Sequence, residues 1–123
     1  MAKKPAPTGP RLRVVIEPDI AIGPGKADLL EAIRETGSIS AAGRRLGMSY
    51  RRAWLLVDEL NRHLGAPVVD AVTGGSKGGG AALTRTGDEV LTRYRRMEEA
   101  CRAAIAADVQ ALKQLIRRNQ RQK

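Results

Sequence analysis

The sequence predicts a mainly α-helical protein with a small β component, and three features in chain order support that class. A short helix, a tight turn and a second helix are predicted over residues 38–64. Two apolar segments around a glycine-rich loop then predict a β-hairpin. After the hairpin, about thirty residues without proline or further glycine predict one long helix. This order is typical of a winged helix-turn-helix that is followed by a long C-terminal helix.

The chain before the helix pair is predicted to form a tail, a short β-hairpin and a helix. Residues 1–10 contain three prolines, a glycine and two lysines, so we expect a disordered tail there. Alternation over residues 11–17 predicts a strand that has Leu12, Val14 and Ile16 on one face. A Pro-Asp turn and a second short strand would complete the hairpin.

The first two helices show the periodicity of amphipathic helices. A helix over residues 27–35 is predicted to bury three apolar residues, Leu29, Leu30 and Ile33. In the next helix the apolar or small positions recur at i, i+3, i+4 and i+7, namely Ile39, Ala42, Gly43 and Leu46. Ser38 and Ser40 both suit its N-cap, because a short hydroxyl can accept a hydrogen bond from a free backbone N–H.

Glycine and serine define the turn before the third helix. Gly43 is small where that helix must pass closely, and Gly47 can adopt the left-handed conformation that ends a helix. Ser49 suits the next N-cap. The buried stripe of the third helix is predicted to be Ala53, Val57, Leu60 and Leu64, with Trp54 and Leu56 on its flanks.

The first turn of the third helix carries Tyr50, Arg51 and Arg52. An arginine there can bond the O6 and N7 atoms of guanine in parallel, a contact worth about 1–3 kcal/mol of discrimination. Asp58 and Glu59 lie two turns later and would repel phosphate. We therefore expect only the N-terminal half of the helix to enter the major groove of DNA. A surface hairpin with solvated arginines is the plain alternative.

The hairpin after the third helix would be the wing of the fold. Its predicted strands are residues 68–72 and 81–83, and the loop between them carries one cation, Lys77, which suits a phosphate or the minor groove. A phosphate-cradling nucleotide loop is disfavoured, because the loop lacks Gly-Lys-Ser/Thr. A plain flexible linker is the other alternative. Residues 11–84 would then form the DNA-binding domain.

The long helix is predicted over residues 85–118, with a basic tail at residues 119–123. Thr86 and Glu89 have the spacing of a capping box at its start. Its apolar residues recur at intervals of three and four, at Val90, Tyr94, Met97, Cys101, Ile105, Leu112 and Ile116. So long a stripe exceeds what the small domain can bury, so we predict that these residues join two chains into a homodimer. A helix that folds back on its own domain is the alternative.

Composition favours a nucleic-acid partner. The 123-residue chain has a formal net charge of +9 and a pI near 10.6, which favours polyanions. Tyr50, Trp54 and Tyr94 are its only aromatic residues, too few for the stacking platforms that bind single strands or RNA, so duplex DNA is favoured. A single cysteine excludes an internal disulfide, and no segment resembles a membrane span or signal peptide. We therefore expect a cytoplasmic protein.

No group of residues points to an enzyme. His63 is the single histidine and has no partner at metal-ligand spacing. Cys101 lies on a different predicted element, and no third group would orient the pair. The sequence therefore predicts no catalytic site and no metal site, and His63 is expected on or near the helix surface.

One segment resembles a known family. Residues 37–54 are Gly-Ser-Ile-Ser-Ala-Ala-Gly-Arg-Arg-Leu-Gly-Met-Ser-Tyr-Arg-Arg-Ala-Trp, with Leu-Asn at residues 60–61. With Gly-Pro-Gly-Lys before them and Leu-Thr-x-x-Gly at residues 83–87, they resemble the N-terminal DNA-binding domain of the ModE family, the bacterial molybdate-responsive transcription regulators. The wider LysR regulators share only the looser helix-turn-helix and the Leu-Thr-x-x-Gly start. The resemblance covers about residues 11–118.

The resemblance implies a winged helix-turn-helix and a dimerising helix. Taken with the residue chemistry, it predicts DNA contacts from Ser38, Ser40, Arg44, Arg45, Ser49, Tyr50, Arg51, Arg52 and Lys77. Family members continue into molybdate-binding domains of small β-barrel type, whereas this chain stops at Lys123. We therefore expect no cofactor in this chain, and molybdate sensing only through a separate domain or protein.

The sequence thus predicts a homodimeric, sequence-specific, double-stranded DNA-binding transcription regulator of ModE type. Two alternatives share the fold. The protein could be an interaction module whose long helix docks another regulator, or a nucleoid-type protein with little sequence preference.

Overall fold

Two short β-hairpins flank a group of three helices, and a long helix follows the second hairpin. The computed structural model describes residues 9–72 and 80–122. Its elements are β1 (Val14–Glu17), β2 (Ile20–Ile22), α1 (Pro24–Thr36), α2 (Ile39–Arg45), α3 (Tyr50–Leu64), β3 (Val69–Val72), β4 (Gly80–Leu83) and α4 (Arg85–Arg121). The predicted class is therefore confirmed, with a helix-turn-helix, a following hairpin and a long last helix.

The strands β1 and β2 form an antiparallel hairpin with an irregular register. Val14 pairs with Ile22 and Val15 with Ala21, but the next pair is Glu17 with Ile20. Ile16 is the extra residue of this bulge, and its side chain is 58% exposed. The prediction that Ile16 shares a face with Val14 is wrong, because the bulge shifts the alternation by one residue.

The helix α1 begins three residues before the predicted start. Pro24 occupies its first turn, where the missing N–H leaves no hydrogen bond unmade. The helix ends at Gly37, which has a φ of 71° and donates its N–H to the carbonyl of Ile33 at 2.8 Å. The predicted end at Thr36-Gly37 is therefore confirmed.

The apolar core lies between α1, α2 and α3 and is closed by the hairpin β3–β4 and the first turns of α4. Every residue that the sequence assigns to the inner face of α1 is buried. The core consists of Ile22, Ala27, Leu29, Leu30, Ala32, Ile33, Ile39, Ala42, Ala53, Leu56, Val57, Leu60, Val68, Val69, Ala81, Leu91 and Tyr94. Burial of these side chains from several elements fixes how α3 lies on α1 and α2.

The start of α4 is held by a cap other than the predicted one. The N-cap is Thr84, whose Oγ1 accepts a hydrogen bond from the N–H of Gly87 at 3.0 Å. The predicted capping box of Thr86 and Glu89 is therefore wrong, and Glu89 instead accepts a bond from Arg93. A β-carbon on Gly87 would overlap the carbonyl oxygen of Val68. This close approach gives the Leu-Thr-x-x-Gly segment a structural reason.

The helix α4 has 37 residues and extends three residues past the predicted end, to Arg121. At 1.5 Å per residue it is about 55 Å long. Its buried residues, Gly87, Leu91 and Tyr94, all lie in its first third. The rest of the helix therefore projects away from the core.

Candidate nucleic-acid interface

The turn between α2 and α3 aims the first turn of α3 outward. Gly47 has a φ of 70°, a conformation that suits glycine. Ser49 caps α3, and its Oγ accepts a bond from the N–H of Arg52 at 3.0 Å. A β-carbon on Gly43 would lie 3.3 Å from the Cβ of Ala53, so the two helices pack closely at this point. The sequence predictions for these two glycines and for the Ser49 cap are confirmed.

The first turn of α3 presents an exposed aromatic residue and two exposed arginines. Tyr50 packs edge-on against Trp54, with ring centroids 6.2 Å apart and an interplanar angle of 68°. Arg51 and Arg52 form no ion pair with any side chain in residues 9–72 and 80–122. Their guanidinium groups are therefore available to an external acceptor.

The polar residues of α2 are partly engaged within the protein. Ser38 caps this helix, and its Oγ accepts a bond from the N–H of Ala41 at 3.1 Å. Ser40 accepts a bond from the exposed Arg44 at 2.8 Å. Arg45 pairs with Glu35 of α1. Of these two arginines, Arg44 thus carries the less compensated positive charge beside the turn.

The two acidic residues of α3 are each paired with a cation. Asp58 lies 3.5 Å from Arg62, and Glu59 accepts a bond from Lys26 of α1 at 2.8 Å. The bond from Lys26 lowers the pKa of Glu59, although partial burial acts in the opposite direction. These pairs reduce the repulsion of phosphate that the sequence predicts for this half of the helix.

The wing is attached to the turn between α1 and α2. The N–H of Ala81 in β4 donates to the carbonyl of Gly37 at 2.8 Å. Asn61 of α3 holds the other strand, because its Oδ1 accepts a bond from the N–H of Val68 at 2.7 Å. Lys77 lies outside the described residues.

The predicted dimerisation residues divide into two groups. Val90 packs against the core, and Tyr94 is fully buried, with its hydroxyl donating to the carbonyl of Leu12 at 2.6 Å. The prediction that Tyr94 contacts a second chain is therefore wrong, since its own domain covers it. Burial raises the pKa of Tyr94. The other five residues are half-buried or exposed on α4, namely Met97, Cys101, Ile105, Leu112 and Ile116.

An ionic cluster that the sequence analysis does not identify joins α1 to α4. Arg95 pairs with Asp28 at 2.9 Å, with Glu31 at 3.3 Å and with Glu98 at 3.1 Å. Burial acts to lower the pKa of Arg95, but the bonds to Asp28 and Glu98 outweigh it and raise the pKa above its usual value. Only the packing of the two helices brings these carboxylates together.

Leu55 is a second residue that the sequence analysis leaves out. Its side chain is 52% exposed on α3, one helical turn after Arg51. The spacing of four residues from Arg51 is a signal that a helical projection of the sequence would have revealed.

The described residues do not suggest a catalytic or metal site. His63 is partly buried, and residues 9–72 and 80–122 contain no group of three or more His, Cys, Asp or Glu residues placed to hold a metal. No helix in this part of the chain is both long and apolar enough to cross a bilayer.

A family model of bacterial regulatory helix-turn-helix proteins of the lysR family matches residues 26–88. The match covers just over half of the chain and spans most of α1, the helix-turn-helix, the wing and the start of α4. The chain belongs to this family. The lysR family is one of regulators, not of enzymes, which agrees with the prediction that the chain has no catalytic task.

The chain is also similar to curated proteins, several of whose names refer to molybdenum. It is 48% identical to the molybdenum-pterin-binding protein MopB of Rhodobacter capsulatus over 77 residues, which are 63% of this chain and 28% of MopB. It is 35% identical to the molybdenum transport protein ModE of Azotobacter vinelandii, over 76% of this chain and 35% of that protein. The DNA-binding transcriptional dual regulator ModE of Escherichia coli K12 is also 35% identical, over 68% of this chain and 32% of that protein. The predicted resemblance to ModE is confirmed.

Solved structures show the same fold. The DNA-binding domain of CbnR, in complex with DNA, gives a TM-score of 0.54 at 24% identity, over 72% of this lysR-family chain and 94% of that domain. Full-length CbnR with its target DNA gives a TM-score of 0.51 at 25% identity, and the match covers 68% of this chain and 27% of CbnR. This chain spans about a third of the length of the curated relatives that it matches.

Proposed function

We propose that this protein is a transcription regulator that binds specific sites on double-stranded DNA through the N-terminal half of α3. The observation that supports this most directly is the exposed pair Arg51 and Arg52 on the first turn of a capped helix, with no competing acidic partner among the described residues. Guanidinium groups in this position can bond guanine edges or phosphates. Such a regulator would act in the cytoplasm, where the chromosome lies.

The positioning contacts would come from residues around α3. Arg44 and Arg45 end α2 and Ser49 caps α3 across the turn, whereas Ser38 and Ser40 lie at the start of α2 and Lys77 belongs to the wing loop. Contacts to phosphate fix the register of a protein on the duplex without reading the sequence. With about eight such contacts per complex, log K should fall with log salt at a slope of about −7.

We further propose that two chains pair through α4. The exposed apolar residues on the projecting part of this helix are Met97, Leu112, Leu115 and Ile116. A second copy of the same helix would cover this face and place two recognition helices on one side of the duplex. The operator would then be an approximate palindrome whose half-sites are about one helical turn apart.

A selection of bound duplexes from a random pool tests this function. We expect an enriched, two-fold symmetric site that the protein binds at least a hundredfold more tightly than random duplex. A specific-to-random ratio near one would instead identify a nucleoid-type protein. Absence of any duplex binding would favour an interaction module.

Arginine variants separate base reading from phosphate contact. Arg51→Ala or Arg52→Ala should weaken binding to the selected site by about 1–3 kcal/mol and relax the preference at one position per half-site. Arg44→Ala should weaken specific and random duplexes alike and reduce the salt slope. Equal losses on both duplexes for all three variants would contradict a reading role for α3.

We assign any response to molybdate to a domain or protein other than this chain. Several relatives have names that refer to molybdenum, but the similarity to this chain covers only about a third of each of them. Addition of molybdate to the DNA-binding assay should therefore leave the affinity of this chain unchanged. A shift in affinity would contradict the assignment.

A further inference from the structure

The outward face of α3 carries an apolar side chain among its arginines. The buried residues of this helix are Ala53, Leu56, Val57 and Leu60. At 100° per residue, Arg51 and Leu55 lie on the side opposite the middle of this buried stripe. Leu55 is 52% exposed, so burial in its own domain does not explain its position.

Arg51 and Leu55 form a continuous outward surface. They are four residues apart, so their side chains are neighbours on consecutive turns, about 6 Å apart along the helix axis. That separation corresponds to about two base-pair steps of 3.4 Å. If Arg51 bonds a guanine in the major groove, Leu55 would therefore lie beside a base pair one or two steps from that guanine.

The major groove offers a specific apolar group to such a side chain. Among the base edges exposed there, thymine alone carries a C5-methyl group, and apolar side chains recognise it by contact. A protein partner fits this face less well, because it would have to cover the charges of Arg51 and Arg52 along with Leu55. The charge around the leucine therefore favours DNA as the occupant.

We propose that Leu55 is a specificity-determining residue that contacts a thymine methyl group beside the guanine bound by Arg51. This inference rests on the proposed function, since it requires α3 to lie in the major groove. Leu55 would reject cytosine at that position, because cytosine presents an amino group and no methyl.

Replacement of thymine by deoxyuridine removes only the methyl group and tests the contact directly. Each thymine of the selected site is replaced in turn, and dissociation constants are measured for the wild type and for Leu55→Ala. At one thymine per half-site, the replacement should weaken DNA binding by the wild type about three- to fivefold, as expected for the loss of one buried methyl group. The same replacement should leave the affinity of Leu55→Ala unchanged.

Ile16→Ala provides the matched control, because Ile16 is also an exposed aliphatic residue but lies in the β1–β2 hairpin, outside the proposed DNA and dimer surfaces. Its response to deoxyuridine should equal that of the wild type. The inference fails if every deoxyuridine replacement changes the affinity of the wild type and of Leu55→Ala equally. The proposed function still stands in that case if Arg51→Ala binds the selected site more weakly than the wild type does. If no site is enriched at all, both fail. A Leu55→Gln variant repeats the test if Leu55→Ala does not melt as a folded protein, because glutamine is a good helix former whose polar end does not replace the apolar contact.

Discussion

Close backbone approaches at single residues hold α4 against the wing. The Cα of Gly87 lies against the carbonyl of Val68, which also accepts a bond from the N–H of Thr84. The side chain of Thr84 in turn caps α4 at Gly87 and donates to the carbonyl of Pro67. These contacts together set where α4 leaves the wing.

Substitution at Gly87 tests that contact. Gly87→Ala should lower the free energy of unfolding by about 3 kcal/mol, because the added carbon overlaps a backbone oxygen that cannot rotate away. Gly25→Ala is the control, since a β-carbon there meets no atom within 4 Å. The control should be neutral or stabilising by about 0.5 kcal/mol. Equal stabilities of the two variants in urea denaturation would refute the argument.

The ion pair between Lys26 and Glu59 predicts a pH dependence of stability. The bond from Lys26 lowers the pKa of Glu59 in the folded state, so the pair stabilises the fold above the unfolded pKa of Glu59 and loses this effect as the pH falls through the folded pKa. Because Glu59 is 39% exposed, solvent screening limits the contribution.

Glu59→Gln should therefore reduce stability at pH 7 by about 0.5 kcal/mol. The difference from the wild type should vanish in acid, where Glu59 of the wild type is protonated. Urea denaturation at a series of pH values measures this difference. A difference that persists undiminished in acid would show that the carboxylate charge is not its cause.

At the scale of elements, Arg95 connects α1 to the long helix α4. It is half-buried, and two of its three carboxylate partners, Asp28 and Glu31, belong to α1. Tyr94 adds a bond to the segment before β1. These contacts fix the direction in which α4 leaves the domain, and in a dimer that direction would set the separation of the two copies of α3.

Loss of Arg95 leaves three neighbouring carboxylates uncompensated. Arg95→Met should lower the free energy of unfolding by about 1–2 kcal/mol, and added salt should recover part of this loss by screening the repulsion. Arg102→Met is the control, because Arg102 makes an exposed pair with Glu99 on the same helix. Thermal unfolding at low and high salt compares the two variants. A larger loss for Arg102→Met would contradict the role of the cluster.

At the scale of the whole molecule, the projecting part of α4 carries large apolar residues that the core leaves uncovered. Leu112 and Ile116 are 59% and 57% exposed on one face of it. Exposed apolar surface of this kind is normally covered by a partner, and the proposed partner is a second copy of this chain.

Charge on this face should separate the proposed dimer. The double variant Leu112→Glu and Ile116→Glu should be monomeric in sedimentation velocity, while the wild type has twice the mass of one chain. Gln114→Glu is the control, because residue 114 lies on the opposite face of the helix. It should remain dimeric. A monomeric wild type, or a double variant that stays dimeric, would rule out this interface.

The sequence by itself determined the local elements of this protein. Serine caps, the small Gly43 and the periodic apolar residues depend on short-range sterics and hydrogen bonds, so the helix-turn-helix and the inner face of α1 could be predicted. The residue types on the first turn of α3 were equally evident, because the cap at Ser49 fixes where that turn begins.

Only the tertiary structure decided which side chains are buried or paired within the chain. Tyr94 matches the apolar repeat of α4, but packing against α1 and the segment before β1 buries it. The bonds from Arg95 to Asp28 and Glu31, and the bond from Lys26 to Glu59, join residues that are 33 or more positions apart in the sequence. No local pattern therefore predicts them. The bulge at Ile16 likewise depends on the strand beside it, and the local cap at Thr84 is also held by a bond to Pro67. Long-range packing, rather than periodicity, decides these positions because burial and pairing are properties of neighbours in space.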